Sequence, residues 1–263
     1  MQNLRYYLDT NAVQSLGTRL ESLPNECVYT SVWTQLELVS AIKDDDSFRK
    51  KTAALRHLSD SGIFIDQIIP GAKKEQAFGR IAPEGGKIPN LSEVIMPMIF
   101  GAGNYEEFWK HIKCQGMEKC MELIKETDKV THSFGEQIKS RMDLRIDDFE
   151  EKWKSDKDEL LQDAIDYYAN LLEKKHHIPK SLLIRAYDHS VDYYMLIHYY
   201  YVEQKRYSHN QPAKNDFNDL LHLQYLRNGC ILVTDDGGFK EYVNKVVDGL
   251  AIGTNQFIKE IGV

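Results

Sequence analysis

The chain has 263 residues, with 33 Lys and Arg against 40 Asp and Glu, a formal charge of −7. Hydrophobic residues make up 42% and aromatics 11%, enough to bury a core, which excludes disorder as the main state. The acidic balance excludes broad coating of nucleic acid but leaves room for one local site.

The first residues, Met1 to Asp9, hold no long apolar stretch, so no signal peptide is expected. No apolar run approaches the roughly 20 residues needed to span a bilayer. The expected location is the cytoplasm, with no membrane partner. Cys27, Cys114, Cys120 and Cys230 are expected to be free thiols there. His111, Cys114 and Cys120 have no second ligand pair at finger spacing and read as helix-face residues.

Arg5 to Leu8 is a short, β-prone run ending at Asp9-Thr10-Asn11, a strand feeding a loop. Asn11 to Leu23 has helical spacing. Cys27 to Thr30 reads as a second strand, and Ser31 as the N-cap of a helix running to about Lys43. Phe48 to Ser59 predicts a helix, Gly62 to Ile65 a strand, and Gly71 to Gly79 a helix. Pro83, Gly85, Gly86, Pro89 and Pro97 predict an irregular loop over 81–103. Helical patterns follow over Tyr105 to about His132, Phe149 to Lys175, and Ser181 to Tyr207. The strand–helix alternation then resumes. Asn215 to Arg227 reads as a helix ended by Asn228-Gly229, and Cys230 to Val233 as a strand. Phe239 to Val247 reads as a helix, Gly249 to Ile252 as a strand and Asn255 to Ile261 as a helix. The expected fold class is α/β with a parallel sheet and right-handed crossovers. Residues 1–80 and 212–263 form its core, and 81–211 a mainly helical insertion of domain size.

Functional groups of open α/β sheets gather beyond the carboxyl ends of the strands. Asp9 follows the first strand, and Asp235 and Asp236 follow the strand Cys230 to Val233. Glu37 lies early in a helix that starts at a strand end, between Leu36 and Leu38. Asp216 and Asp219 share one face of the helix beginning near Asn215. Carboxylates gathered together repel unless a cation joins them. Mg²⁺ or Mn²⁺ takes oxygen ligands, leaves positions for water and phosphate, and activates water for phosphodiester cleavage. Each acid also has a plain reading, as a turn residue, a helix-end acid or the partner of a buried Arg.

At these residues the chain resembles the PIN-domain nucleases. The matching pieces are Tyr7-Leu8-Asp9-Thr10-Asn11, Thr30 to Leu38 around Glu37, Asn215 to Leu223 around Asp219, and Leu232 to Phe239 around Asp236. The resemblance covers roughly 1–80 and 212–263, and the long middle departs from the small PIN toxins. It implies a PIN-like three-layer core and a Mg²⁺- or Mn²⁺-dependent nuclease, in that family most often acting on RNA, with DNA left open. It implies Asp9, Glu37, Asp219 and Asp236 as the catalytic metal-binding acids, with Asn11 and Thr234 as supporting polar groups. Asp216 and Asp235 are extra acids able to share or replace a ligand. A toxin or defence-effector role, and an antitoxin or other regulatory partner, follow from the resemblance alone. The alternative is a catalytically silent PIN-like module that binds nucleic acid or protein.

Positive charge is local. Lys205, Arg206, His209 and Lys214 precede the Asp216 helix, and Lys205, Arg206 and Lys214 are the candidate phosphate contacts. Lys73, Lys74, Arg80 and Lys87, and Lys174, Lys175, His176, His177 and Lys180, read as solvated helix ends. The aromatic run Tyr193, Tyr194, Tyr199, Tyr200 and Tyr201 reads as helix packing or a homodimer surface, with one or two rings left to stack on bases.

Overall fold

Tyr6, Tyr7 and Leu8 are all buried, as expected for a central strand of a parallel sheet covered on both faces. In the computed structural model they form β1 (Arg5–Leu8). The structure describes residues 5–79, 91–116, 118, 157–208, 213 and 215–263. The strands are β1, β2 (Val28–Ser31), β3 (Phe64–Asp66), β4 (Cys230–Val233) and β5 (Ala251–Ile252). They form one five-stranded sheet in the order β3-β2-β1-β4-β5. Every pairing is parallel, with Tyr7 opposite Tyr29 and Leu232, and Leu8 opposite Val233. All five strands therefore end on one rim. The chain adds β2 and β3 to one side of β1, and β4 and β5 to the other. The gap between β1 and β4 is thus the point where strand order reverses, the usual ligand crevice of such sheets.

Helices leave this rim through side-chain caps, each satisfying an amide at the helix start. Asp9 caps α1 (Thr10–Leu16) and Ser31 caps α2 (Val32–Ser40), while α3 (Asp45–Asp60), which follows α2 and not a strand, is capped by Asp44 in a reciprocal box with Ser47. The helix expected over Asn11–Leu23 is shorter. At Gly17, with φ of +52°, α1 gives way to a 3-10 turn over Gly17–Ser22. Positive φ is cheap only for Gly, so the break falls there.

The chain divides into two compact units. The first holds Met1–Ile69, Glu84–Lys125 and Gly229–Val263. It contains the sheet, α5 (Leu91–Gly101) and α6 (Tyr105–Cys114). Residues 91–101, expected as loop, are a helix even though Pro97 lies inside it. Pro97 is exposed, while Met96 and Ile99 are buried, so packing outweighs the hydrogen bond that Pro removes. The Arg56 guanidinium lies 5.3 Å over the Phe100 ring, and Phe48 packs on Phe108 at 5.9 Å. Residues 80–90 lie outside the described residues, as does most of the helix expected beyond Cys114.

The second unit holds Pro70–Pro83 and Glu126–Asn228. Its described residues form α4 (Pro70–Ala77), α7 (Lys157–His176), α8 (Lys180–Ala186), α9 (Asp192–Ser208) and α10 (Asp216–His222), with no strand among them. The single helix expected over Ser181–Tyr207 is two, because the chain turns at Tyr187–Val191, where His189 has φ of +60°. Tyr194, Tyr200 and Tyr201 are buried, so these rings serve packing.

Among the described residues Cys27, Cys114 and Cys230 are free thiols, and no helix is long and apolar enough to cross a membrane.

Candidate functional site

Asp9 follows β1 and Asp236 follows β4, so the two acids stand on either side of the gap where strand order reverses. Asp9 is 3% exposed, and its amide donates to the Val233 carbonyl at 3.2 Å, extending the β1–β4 pairing to the acid itself. One Asp9 oxygen accepts the Ala12 amide at 2.8 Å. Asp236 caps α11 (Gly237–Val246) in the same way, accepting the Phe239 amide at 2.8 Å. Thr234 is fully buried and accepts the Asp236 amide at 3.1 Å, which sets the turn that presents Asp236. Each acid therefore sits beside a helix N-terminus, where backbone amides favour negative charge.

Glu37 joins this rim through α1. It is half-buried on α2 and accepts the Thr10 hydroxyl. The Tyr7 phenol locates the pair. Burial pushes its pKa well up; hydrogen bonds from Ser31 and Thr34 oppose this, and the carboxylates of Asp9 and Glu37 add to it. Its hydroxyl lies 2.7 Å from Ser31 Oγ. Asn11, in the first turn of α1, is exposed.

Asp235 faces a different way. Its two oxygens accept the Thr254 amide at 2.9 Å and the Thr254 hydroxyl at 2.7 Å, holding the start of α12 (Thr254–Ile261). Burial alone would raise its pKa, but Thr254, with help from Ser15 and Lys240, holds it below the usual carboxylate value. Because Asp235 is exposed, Asp235→Ala is expected to cost only about 1 kcal/mol in urea unfolding. A loss above about 3 kcal/mol would show that the contact carries more than a surface cap does.

Within the second unit, Asp216 and Asp219 lie in the first turn of α10. Asp216 accepts the Tyr201 hydroxyl and the Ala213 amide, and its carboxylate is 3.7 Å from Lys205 Nζ. The Lys205 ammonium also lies 5.2 Å over the Tyr201 ring. Burial raises the Tyr201 pKa, as do its bond to Asp216 and the charges of Asp216 and Asp219. Lys214 and the Arg206 side chain lie outside the described residues. Two further lysines of this unit turn inward over aromatic rings, while Lys175 stays exposed in an ion pair. Lys73 lies 5.1 Å over Tyr225, Lys74 lies 4.5 Å over Tyr168, and Lys175 is 2.7 Å from Glu75.

Asp66, outside the acids expected from the sequence, ends β3 on the same rim, is 7% exposed and accepts the Ile68 amide at 3.1 Å. The rule that found Asp9, an acid directly after a strand, applies to it equally. The Thr10–Glu37 bond joins residues 27 apart and has no local signal in the sequence.

Carboxylates and hydroxyls are hard oxygen donors, the kind that Mg²⁺ and Mn²⁺ take, so the donor chemistry of Asp9, Glu37 and Asp236 suits such an ion. Among the described residues no three His, Cys, Asp or Glu side chains are gathered closely enough to hold one. No protein-family model, curated protein or solved structure matches this chain.

Proposed function

We propose that this protein is a divalent-metal-dependent phosphodiesterase of the PIN nuclease type, acting on RNA. The single observation that carries this reading is the placement of Asp9 and Asp236. Two acids from opposite ends of the chain flank the gap where strand order reverses, and each heads a helix. A lone turn acid has no need of that position. Glu37 supports the reading, because Thr10 ties it to the helix that Asp9 caps.

In this reading Asp9, Glu37 and Asp236 bind Mg²⁺ or Mn²⁺, and Thr234 holds the turn that aims Asp236. The ion, when bound, supplies activation of water and stabilisation of charge on the phosphoryl group. The resemblance also gives Asp219 a ligand role, with Asp216 as a further acid. Asp235 has the task of holding α12 to the end of β4.

The test is incubation of the purified chain with mixed pools of single-stranded RNA and DNA in Mn²⁺ or EDTA, beside Asp236→Asn and Asp219→Asn. The expected result is Mn²⁺-dependent cleavage of RNA that both variants lose. Cleavage that survives EDTA would refute metal dependence. Thermal stabilisation by Mn²⁺ without turnover of any nucleic acid would instead favour a silent binding module.

A further inference from the structure

A nuclease of charge −7 whose rim is lined with carboxylates repels the phosphates it must hold, so positive charge has to be supplied locally. Two lysines of the first unit stand at this rim. Lys51 belongs to the middle of α3 and reaches the rim through a relay. Gln14 folds its amide back so that Nε2 donates to the Thr10 carbonyl at 3.1 Å, while its Oε1 accepts from Lys51 Nζ. Thr10 is the residue whose hydroxyl binds Glu37. The Lys51 ammonium therefore lies beside the first turn of α1, within the field of Glu37. An ammonium carries three donors, and Gln14 engages one of them.

Lys240 lies at the other side, in the first half of α11, the helix that Asp236 caps. A methyl carbon placed on Gly253 would stand 3.6 Å from Lys240 Nζ and 3.5 Å from Asp235 Oδ1. Its ammonium thus hangs over the end of β5, beside the Asp235–Thr254 contact. Lys51 adjoins the elements that follow β1 and β2, and Lys240 those that follow β4 and β5. Asp9 and Asp236, which follow β1 and β4, come between.

We propose that Lys51 and Lys240 are positioning residues that bind the phosphates flanking the scissile bond of an RNA strand laid across the carboxyl rim. This rests on the nuclease reading for its biological meaning, but it is a statement about binding and can fail separately. Neither lysine forms or breaks a bond. Lys51 is held by the neutral amide of Gln14, so phosphate breaks no ion pair there, and Lys240 can turn from Asp235 because Thr254 holds both oxygens of that carboxylate.

The experiment measures binding of a fluorescent single-stranded RNA oligonucleotide by anisotropy, in EDTA, across a salt series. The proteins are the full chain, Lys51→Gln, Lys240→Gln, the double variant, and Lys51→Arg with Lys240→Arg. Each single Gln variant is expected to weaken binding about threefold and the double about tenfold. The logarithmic salt slope is expected to shrink by about 0.7 per lysine removed. The Arg variants are expected to restore both, which a purely structural role for the ammonium stems would not require. Thermal melting confirms that each variant is folded.

Wild-type affinity and salt slope in the double Gln variant would overturn the proposal, as would failure of the wild-type protein to bind RNA. Lysine-dependent binding without Mn²⁺-dependent cleavage would support the proposal and overturn the nuclease reading. Cleavage with unchanged KM in the double variant would do the reverse.

Discussion

Asp9→Asn is expected to lower Mn²⁺-dependent RNA cleavage at least about 100-fold while leaving the fold intact. Asn and Asp are nearly equivalent as helix N-caps, because either offers the side-chain oxygen that accepts the Ala12 amide. The substitution is also nearly isosteric, which matters at a residue only 3% exposed at the end of the central strand. What it removes is the negative charge, the property a divalent ion needs. Asp9→Ala differs, since it loses both charge and cap and is expected to destabilise by about 1 kcal/mol. Initial rates over a Mn²⁺ titration, with urea unfolding of the same samples, separate the two effects. Full activity in Asp9→Asn would reduce Asp9 to a helix cap.

Mild acid is expected to destabilise the protein through His198. Burial holds this imidazole at a pKa of about 3, with Lys74 adding to the depression. The Tyr168 hydroxyl lies 2.6 Å from its Nδ1, and burial raises the Tyr168 pKa so that the phenol keeps its proton and donates. In the unfolded chain a His titrates near about 6.5. Above that value both states are neutral and stability is flat with respect to this group. Below it, the unfolded chain takes a proton that the folded chain refuses. Stability therefore falls from about pH 6.5 towards pH 3, with a slope approaching about 1.4 kcal/mol per pH unit.

The depressed carboxylates act lower on the scale. Burial works to raise Asp235 and Glu75, but Thr254 in one case and Lys175 with His176 in the other bring them down. Their stabilisation is present above the unfolded value near about 4 and is lost as pH falls from there through the lower folded value. The window from pH 6.5 to 5 thus lies above these carboxylates, and a variant at His198 separates its part from that of the other histidines. His198→Gln keeps a polar acceptor for Tyr168 and cannot titrate, so its urea unfolding should be flatter than that of the wild type across that window. An equal slope in both proteins would place the acid sensitivity elsewhere.

Two departures from the sequence pattern, over 91–101 and at Tyr187–Val191, share one cause. Pro97 and the surrounding Gly and Pro residues argue locally for a loop over 81–103, yet Met96 and Ile99 bury themselves and residues 91–101 become a helix. Ser181–Tyr207 carries an unbroken helical pattern, yet the chain turns at His189, a residue without Gly's freedom at positive φ. In both cases burial against neighbours outweighed propensity, and those neighbours are distant in sequence. The site shows the same division. Asp9 and Asp236 were legible because an acid follows an apolar run directly. Asp66, at the end of the apolar run of β3, carries the same signal. The environments of Lys205 and Asp216 were not legible, since nothing local places Lys205 over the ring of Tyr201 and 3.7 Å from Asp216.

By itself the sequence determined the strands, most helix starts and the acids that stand where strands end. These depend on a few adjacent residues: alternation or runs of apolar side chains, and a capping oxygen three positions from an amide. Only the tertiary structure decided the strand order β3-β2-β1-β4-β5, and with it that the ends of β1 and β4 are neighbours. It also decided that Thr10 meets Glu37, that Gln14 carries Lys51 to the rim, and that Asp235 turns to Thr254. Pairing between distant segments is settled by cooperative burial of whole elements, so no single residue announces its partner beforehand.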